Sequence, residues 1–135
     1  MLFRSGYGRA AAQALGVEES RVFKTLLAKS EKSVVVAIVP VSTQLSLKAL
    51  ALVLGVKRCE MVPAHDAQRI TGYVVGGISP FGQKKKLFTV IDESALDFPT
   101  IFVSGGRRGL DIEVAASDLV RLLEAKSDAI ALADA

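Results

Sequence analysis

Apolar and polar positions alternate along this chain in short blocks, and the period of the blocks changes from one to the next. Arg9 to Leu15 is alanine-rich and runs into Gly16, which predicts a helix closed by a C-terminal glycine. Val17 to Arg21 is a polar connection. Val22 to Ala28, VFKTLLA, predicts a strand with Phe23 and Thr25 on one face and Val22, Lys24 and Leu26 on the other. After a polar turn at Ser30 to Ser33, Val34 to Val39 is continuously apolar, the pattern of a strand buried on both faces, and Pro40 closes it. Ser42 or Thr43 is placed to cap a helix through Leu54 that gathers Leu47, Leu50, Ala51 and Leu54 on one face and ends at Gly55.

The second half is more broken. Glu60 to Val62 predicts a short strand and Ala64 to Ile70 a short helix. Gly72 to Val75 reads as a strand leading into a glycine loop, and Leu87 to Ile91 as another strand. Thr100 to Ser104 and Leu110 to Ala115 flank GGRRG, a hairpin with a five-residue loop. Ser117 would cap a last helix, Asp118 to Leu123, and the weakly patterned segment after Ala125 is expected to fray. Strands interleaved with helix-length segments predict a mixed α/β sheet with helices packed outside.

Composition narrows the class. With 135 residues, no internal repeat and no low-complexity linker, one domain is expected over 1–135. Half the residues are hydrophobic, which argues against disorder. No apolar run approaches the ~18 residues of a membrane span, so no membrane partner is expected. MLFRSGYG has no long apolar signal region, and the single Cys59 fits a reducing compartment. The expected location is cytoplasmic. A net charge of +3 is mild, so any preference for anions must come from local clustering.

That clustering is in Thr71 to Lys86, TGYVVGGISPFGQKKK. Gly72, Gly76, Gly77 and Gly82 offer close backbone approach and φ > 0. Lys84, Lys85 and Lys86 follow directly, so the loop suggests main-chain N–H groups aimed at an anionic ligand. Arg107 and Arg108 at the hairpin tip invite the same reading, and so does a plain solvated tip.

Other catalytic chemistry is missing. His65, in a polar patch beside Asp66, reads as a surface residue, and Cys59 as a small core or edge residue. There is no zinc-ligand spacing, GxSxG elbow, Walker loop or dinucleotide fingerprint, so neither metal nor cofactor is expected. Lys24 has two readings: an edge-strand lysine that discourages aggregation, or an ammonium fixed in a semi-apolar pocket and directed at a carbonyl or phosphate oxygen. Ser104, just before two glycines, serves either a ligand or its own backbone.

RVFKTLLA (Arg21 to Ala28), TGYVVGGISPFGQKKK, IDES (Ile91 to Ser94) and IFVSGGRRGLDIEVAASDL (Ile101 to Leu119) together resemble the YbaK-type aminoacyl-tRNA deacylases, free-standing relatives of the editing domain of bacterial prolyl-tRNA synthetases. The resemblance runs from about Tyr7 to about Leu123. It implies a mixed, curved, barrel-like sheet with peripheral helices. It also implies hydrolysis of misacylated tRNA, most often Cys-tRNA(Pro), as the second sieve of a double-sieve scheme. Deacylation of Ala-tRNA(Pro) or another misacylated tRNA is the alternative within the fold, and a catalytically silent tRNA- or synthetase-binding module is the alternative outside it. The partners implied are aminoacyl-tRNA and prolyl-tRNA synthetase.

Carried over by residue, the family's catalytic lysine falls on Lys24 and its glycine pair on Gly76 and Gly77. Tyr7, Thr25, Ile78, Ser79, Pro80, Ser104 and Asp111 fall on pocket positions. Lys84, Lys85, Lys86, Arg107 and Arg108 are then candidates for acceptor-stem phosphate contacts. For a cysteinyl ester, the family implies attack by the substrate's own thiol, which suits a chain with no evident nucleophile. Relatives carry a further helix, strand and pocket tyrosine ahead of the position of Tyr7, whereas Met1 stands six residues before it. The expectation is a shortened sheet edge that would favour self-association.

Overall fold

Val34–Pro40 (β2) is the most apolar segment of the chain. The computed structural model, which describes residues 4–133, places it at the centre of a five-stranded sheet. Phe23–Lys29 (β1) pairs with it antiparallel and Thr89–Asp92 (β5) parallel. Glu60–Met61 (β4) and Lys126–Asp128 (β8) form the two edges. Alternate residues of β2 feed two cores, as expected for a strand covered on both faces. Val35, Ala37 and Val39 pack with Leu50 and Ala51 of the helix Leu47–Leu54 (α2). Val36 and Ile38 join Leu27, Ile91, Ile101, Val103 and Leu119 on the other side.

That second core is closed by a two-stranded ribbon, Thr100–Arg107 (β6) and Leu110–Ala115 (β7), and by the helices Ala64–Thr71 (α3) and Ala116–Leu123 (α4). Arg21 fixes the ribbon to the start of β1. Its Nη2 donates to Thr100 Oγ1 at 2.7 Å, and its guanidinium lies 5.3 Å from the centroid of the Phe102 ring. The first helix, Arg4–Leu15 (α1), packs Ala12 against Val22, Val41 and Phe102 and ends at Gly16 with φ +69°.

The mixed α/β expectation is met, but barrel-like closure is not. Among the described residues the strands fall into three separate open sheets, with an isolated bridge between Val22, just ahead of β1, and Phe102 of β6. Four local expectations also change. The cap of α2 is Ser46, whose Oγ accepts from Ala49 N at 3.0 Å, rather than Ser42 or Thr43. Thr43–Leu45 (β3) is instead a strand, because the carboxy-terminal segment returns as Ala131–Ala133 (β9) to pair with it. That segment does not fray: buried Asp92 holds it, with Oδ1 accepting from the N–H groups of Ile130 at 3.0 Å and Ala131 at 2.9 Å. The ribbon runs on to Arg107, leaving a tip of Arg108 and Gly109, because a bulge at Gly105 and Gly106 restores the pairing. Finally, α4 begins one residue before Ser117, so Ser117 is not its cap.

Candidate active site

Residues 72–75 are not a strand. Gly72 closes α3 in the left-handed region, at φ +84°. The chain then turns at Val74–Gly77, where Gly77 N donates to Val74 O at 2.9 Å and Gly76 takes φ +88°. A positive φ at the third residue of such a turn is the type II pattern that glycine serves best. The turn is tied at both sides. Val75 N donates to Gln68 Oε1 of α3 at 3.1 Å, and Val75 O accepts from Arg108 Nε at 2.8 Å.

This glycine loop and the ribbon tip meet backbone to backbone. A Cβ on Gly77 would lie 2.6 Å from Arg107 Cα and 2.8 Å from Arg108 N. Together they roof a cavity of about 1190 Å³ whose other walls are β1, Ala10, Ala11 and Ala14 of α1, and Met61 to Ala64 between β4 and α3. Of the sequence-derived site residues, Lys24, Thr25, Gly76, Ile78, Ser104, Arg107, Arg108 and Asp111 border this cavity. They come from three separate parts of the chain.

Each of these has a defined setting. Half-buried Lys24 donates from Nζ to the Thr43 carbonyl at 2.6 Å. Thr25 is buried, and among the described residues its Oγ1 is the buried side-chain polar atom without a hydrogen-bond partner. An orphaned buried hydroxyl costs about 1–3 kcal/mol, so a ligand that satisfies it gains correspondingly. Ser104 Oγ accepts from Gly106 N at 3.2 Å, and Ser104 is paired across the ribbon with Asp111. Burial pushes the Asp111 carboxyl above its ordinary pKa.

Other expected residues lie off the cavity wall. The N–H of Gly77 is engaged by Val74 O, so the donor expected there is already in use and the residue serves close packing. Ser79 and Pro80 are buried behind the loop, where Ser79 Oγ accepts from Phe81 N at 3.2 Å. Lys84 folds over Gly72 with Nζ 3.4 Å from Arg69 O, and Lys86 Nζ pairs with Glu124 at 2.6 Å, holding that exposed carboxyl below its ordinary pKa. Lys85 is exposed. Tyr7 falls within α1, but its side chain lies outside the described residues.

His65 is exposed at the start of α3, and Cys59 is buried in the α2 core with its thiol pKa raised by burial and by Glu31. Neither borders the cavity. Among the described residues there is no cluster of three or more metal-ligating side chains and no helix long and apolar enough to cross a membrane. Sequence reasoning missed Thr43 as the acceptor for Lys24, because Thr43 was expected at the head of a helix. It also missed Met61 to Ala64 and the alanines of α1 as cavity wall. Those residues are small or apolar, and no local pattern distinguishes a cavity wall from a core.

Residues 8–122 match the family described as the aminoacyl-tRNA editing domain. The chain is 42% identical over 112 residues to EbsC of Enterococcus faecalis, named as a candidate Cys-tRNA(Pro)/Cys-tRNA(Cys) deacylase. The match covers 82% of this chain and 68% of that protein. It is 30% identical over 110 residues to the uncharacterised protein YwhH of Bacillus subtilis, covering 81% of this chain and 69% of that one. Among solved structures, a candidate trans-editing enzyme for prolyl-tRNA synthetase superimposes with a TM-score of 0.87 at 24% identity, over 93% of this chain and 79% of that one. The hypothetical protein APE2540 gives 0.87 at 26% identity, over 98% and 87%.

Proposed function

The chain belongs to the aminoacyl-tRNA editing domain family and deacylates misacylated tRNA, and we propose that Cys-tRNA(Pro) is its substrate and the cavity under the glycine loop its active site. The observation that carries this reading is the convergence of Lys24, Thr25, Gly76, Ser104 and Asp111 on one cavity, where the buried Thr25 hydroxyl has no hydrogen-bond partner. A carbonyl, amine or thiol of an aminoacyl group supplies the missing partner.

In this reading Lys24 and the Gly76 N–H stabilise the negative charge that develops on the ester carbonyl oxygen, and Thr25 orients the acyl group. The ionised Asp111 accepts the substrate's α-ammonium. The cysteinyl thiol gives up its proton and its sulfur adds to the carbonyl carbon. The ribose oxygen then leaves and takes a proton, and water opens the resulting thiolactone to free cysteine. No protein nucleophile is required, which agrees with the positions of Cys59 and His65 away from the cavity. Arg107 and exposed Lys85 contact acceptor-stem phosphates, assisted by Lys84 and Lys86, and contribute affinity rather than sequence choice. Choice of tRNA then falls to a partner, for which prolyl-tRNA synthetase is the proposal.

A panel of mischarged tRNAs, assayed with and without the synthetase, tests this. The expected result is release of cysteine from Cys-tRNA(Pro) faster than release of alanine from Ala-tRNA(Pro). Binding of Cys-tRNA(Pro) without ester loss overturns the enzymatic reading, and preferential alanine release overturns the choice of substrate.

A further inference from the structure

Tyr73 was given no role by the sequence, and it does not border the cavity. It nevertheless touches both halves of the cavity roof. Its Oη donates to the Phe81 carbonyl at 2.6 Å, tying together the two ends of the segment that contains Gly76. A Cβ on Gly82 would lie 3.0 Å from that oxygen. On the ribbon, a Cβ on Gly106 would lie 3.1 Å from Tyr73 Cε1, so the bulge rests on the face or edge of the ring with no room for a side chain.

The residue is itself held from behind. Tyr73 N donates to Thr71 Oγ1 at 3.1 Å, and Thr71 Oγ1 donates to Ala67 O at 2.7 Å, so the ring is referenced to α3. One side chain thus sets the spacing between α3, the glycine loop and the ribbon tip. Backbone donors stabilise a developing charge only when they are fixed in advance, and a displacement on the order of 1 Å can cost about a hundredfold in rate.

We propose that Tyr73 is a positioning residue of the deacylase, a latch that fixes the Gly76 main chain against the ribbon tip. The proposal rests on the cavity being the deacylation site. It predicts a defect in the chemical step rather than in tRNA affinity, because Tyr73 acts through Gly76 and not on tRNA.

The test compares the parent with Tyr73→Phe, which keeps the ring and removes the bond to Phe81, and with Tyr73→Leu, which removes both contacts. Three quantities are read: kcat and KM on Cys-tRNA(Pro), the melting temperature, and amide hydrogen exchange. For Tyr73→Phe, kcat is expected to fall about tenfold with KM changed by less than about twofold. Exchange at Gly77, whose N–H is bonded to Val74 O at 2.9 Å, should accelerate while the β2 amides keep their protection. Tyr73→Leu should lower kcat further. Parental exchange at Gly77 in Tyr73→Phe overturns the latch, as does a parental kcat. A rise in KM at constant kcat, or a loss of β2 protection in step with the loss of rate, overturns it equally. If the parent itself deacylates none of the tRNAs, the deacylase reading fails while the exchange comparison still decides the latch.

Discussion

Arg108 donates from Nε to the Val75 carbonyl at 2.8 Å, so this arginine clasps the ribbon tip to the glycine loop instead of simply facing solvent. Its neighbour Arg107 contributes backbone to the same contact and borders the cavity mouth. Two adjacent arginines that the sequence treats alike therefore make different predictions. Arg107→Ala should weaken tRNA binding and reduce the salt dependence of affinity by a slope of about 1. Arg108→Ala should in addition lower kcat, because the loop loses its tie. Measuring KM and kcat against salt concentration separates the two, and identical profiles would show that the clasp has no catalytic consequence.

Gly77→Ala places a methyl where only 2.6 Å separates it from Arg107 Cα, and the opposing group is backbone that cannot rotate away. The expected cost is about 1–3 kcal/mol of stability, as for other overpacked sites, with turnover falling about a hundredfold because the roof is displaced. Thermal melting and deacylation measured together check this; a variant as active as the parent would mean that the loop and ribbon need not touch.

Lys24→Ala removes an ammonium bound to the Thr43 carbonyl. Loss of that charge-assisted bond should lower stability by about 1 kcal/mol at its half-exposed position. Turnover should fall a hundredfold or more if the ammonium stabilises the oxyanion. Near-parental hydrolysis of Cys-tRNA(Pro) by a folded Lys24→Ala protein would remove Lys24 from the mechanism.

Asp111 has a raised pKa because burial penalises its charged form. The sign follows from linkage: the native state binds this proton more tightly than the unfolded chain does. Its contribution to stability is therefore full below the unfolded pKa of about 4 and is lost as pH rises through the higher folded value. Asp111→Asn should thus melt at a higher temperature than the parent at pH 7, with the difference vanishing near pH 4. Deacylation should fall in the same variant, since the carboxylate proposed to receive the substrate ammonium is gone. Melting curves at the two pH values, with parallel activity assays, distinguish this from a purely structural aspartate.

Asp92 supplies one carboxylate oxygen to two main-chain N–H groups of the returning tail and the other to Ser94. Asp92→Ala leaves those donors unpaired and should cost about 3 kcal/mol. Urea unfolding measures the loss; a change below about 1 kcal/mol would mean that water or a neighbour replaces the carboxylate.

Much of this was legible locally. The apolar run of β2, the alternation of β1, the glycines that end α1 and α2, and the position of the ribbon all follow from periods of 2 and 3.6 and from glycine's access to positive φ. Such signals depend only on neighbours in sequence. The candidate chemistry was legible for a related reason. With no triad, a histidine in a polar patch and a cysteine between charged residues, ester chemistry had few places to go except Lys24 and the glycine loop.

The cap of α2, the tip of the ribbon and the fate of the tail were not legible, because each is decided by a distant partner. Thr43–Leu45 becomes a strand only because β9 arrives beside it, and β9 arrives because Asp92 captures Ile130 and Ala131 from 38 and 39 residues away. Gly76 and Gly77 looked equivalent in sequence. Only the docking of two loops assigns Gly76 to the cavity and engages Gly77 in a turn and a backbone contact. By itself the sequence determined which segments turn, which bury both faces and which residues could carry ester chemistry, since those are properties of side chains and of local φ. The tertiary structure decided which donors remain available and what aligns them, since a backbone N–H has the same chemistry in every residue and differs only in what the fold places opposite it.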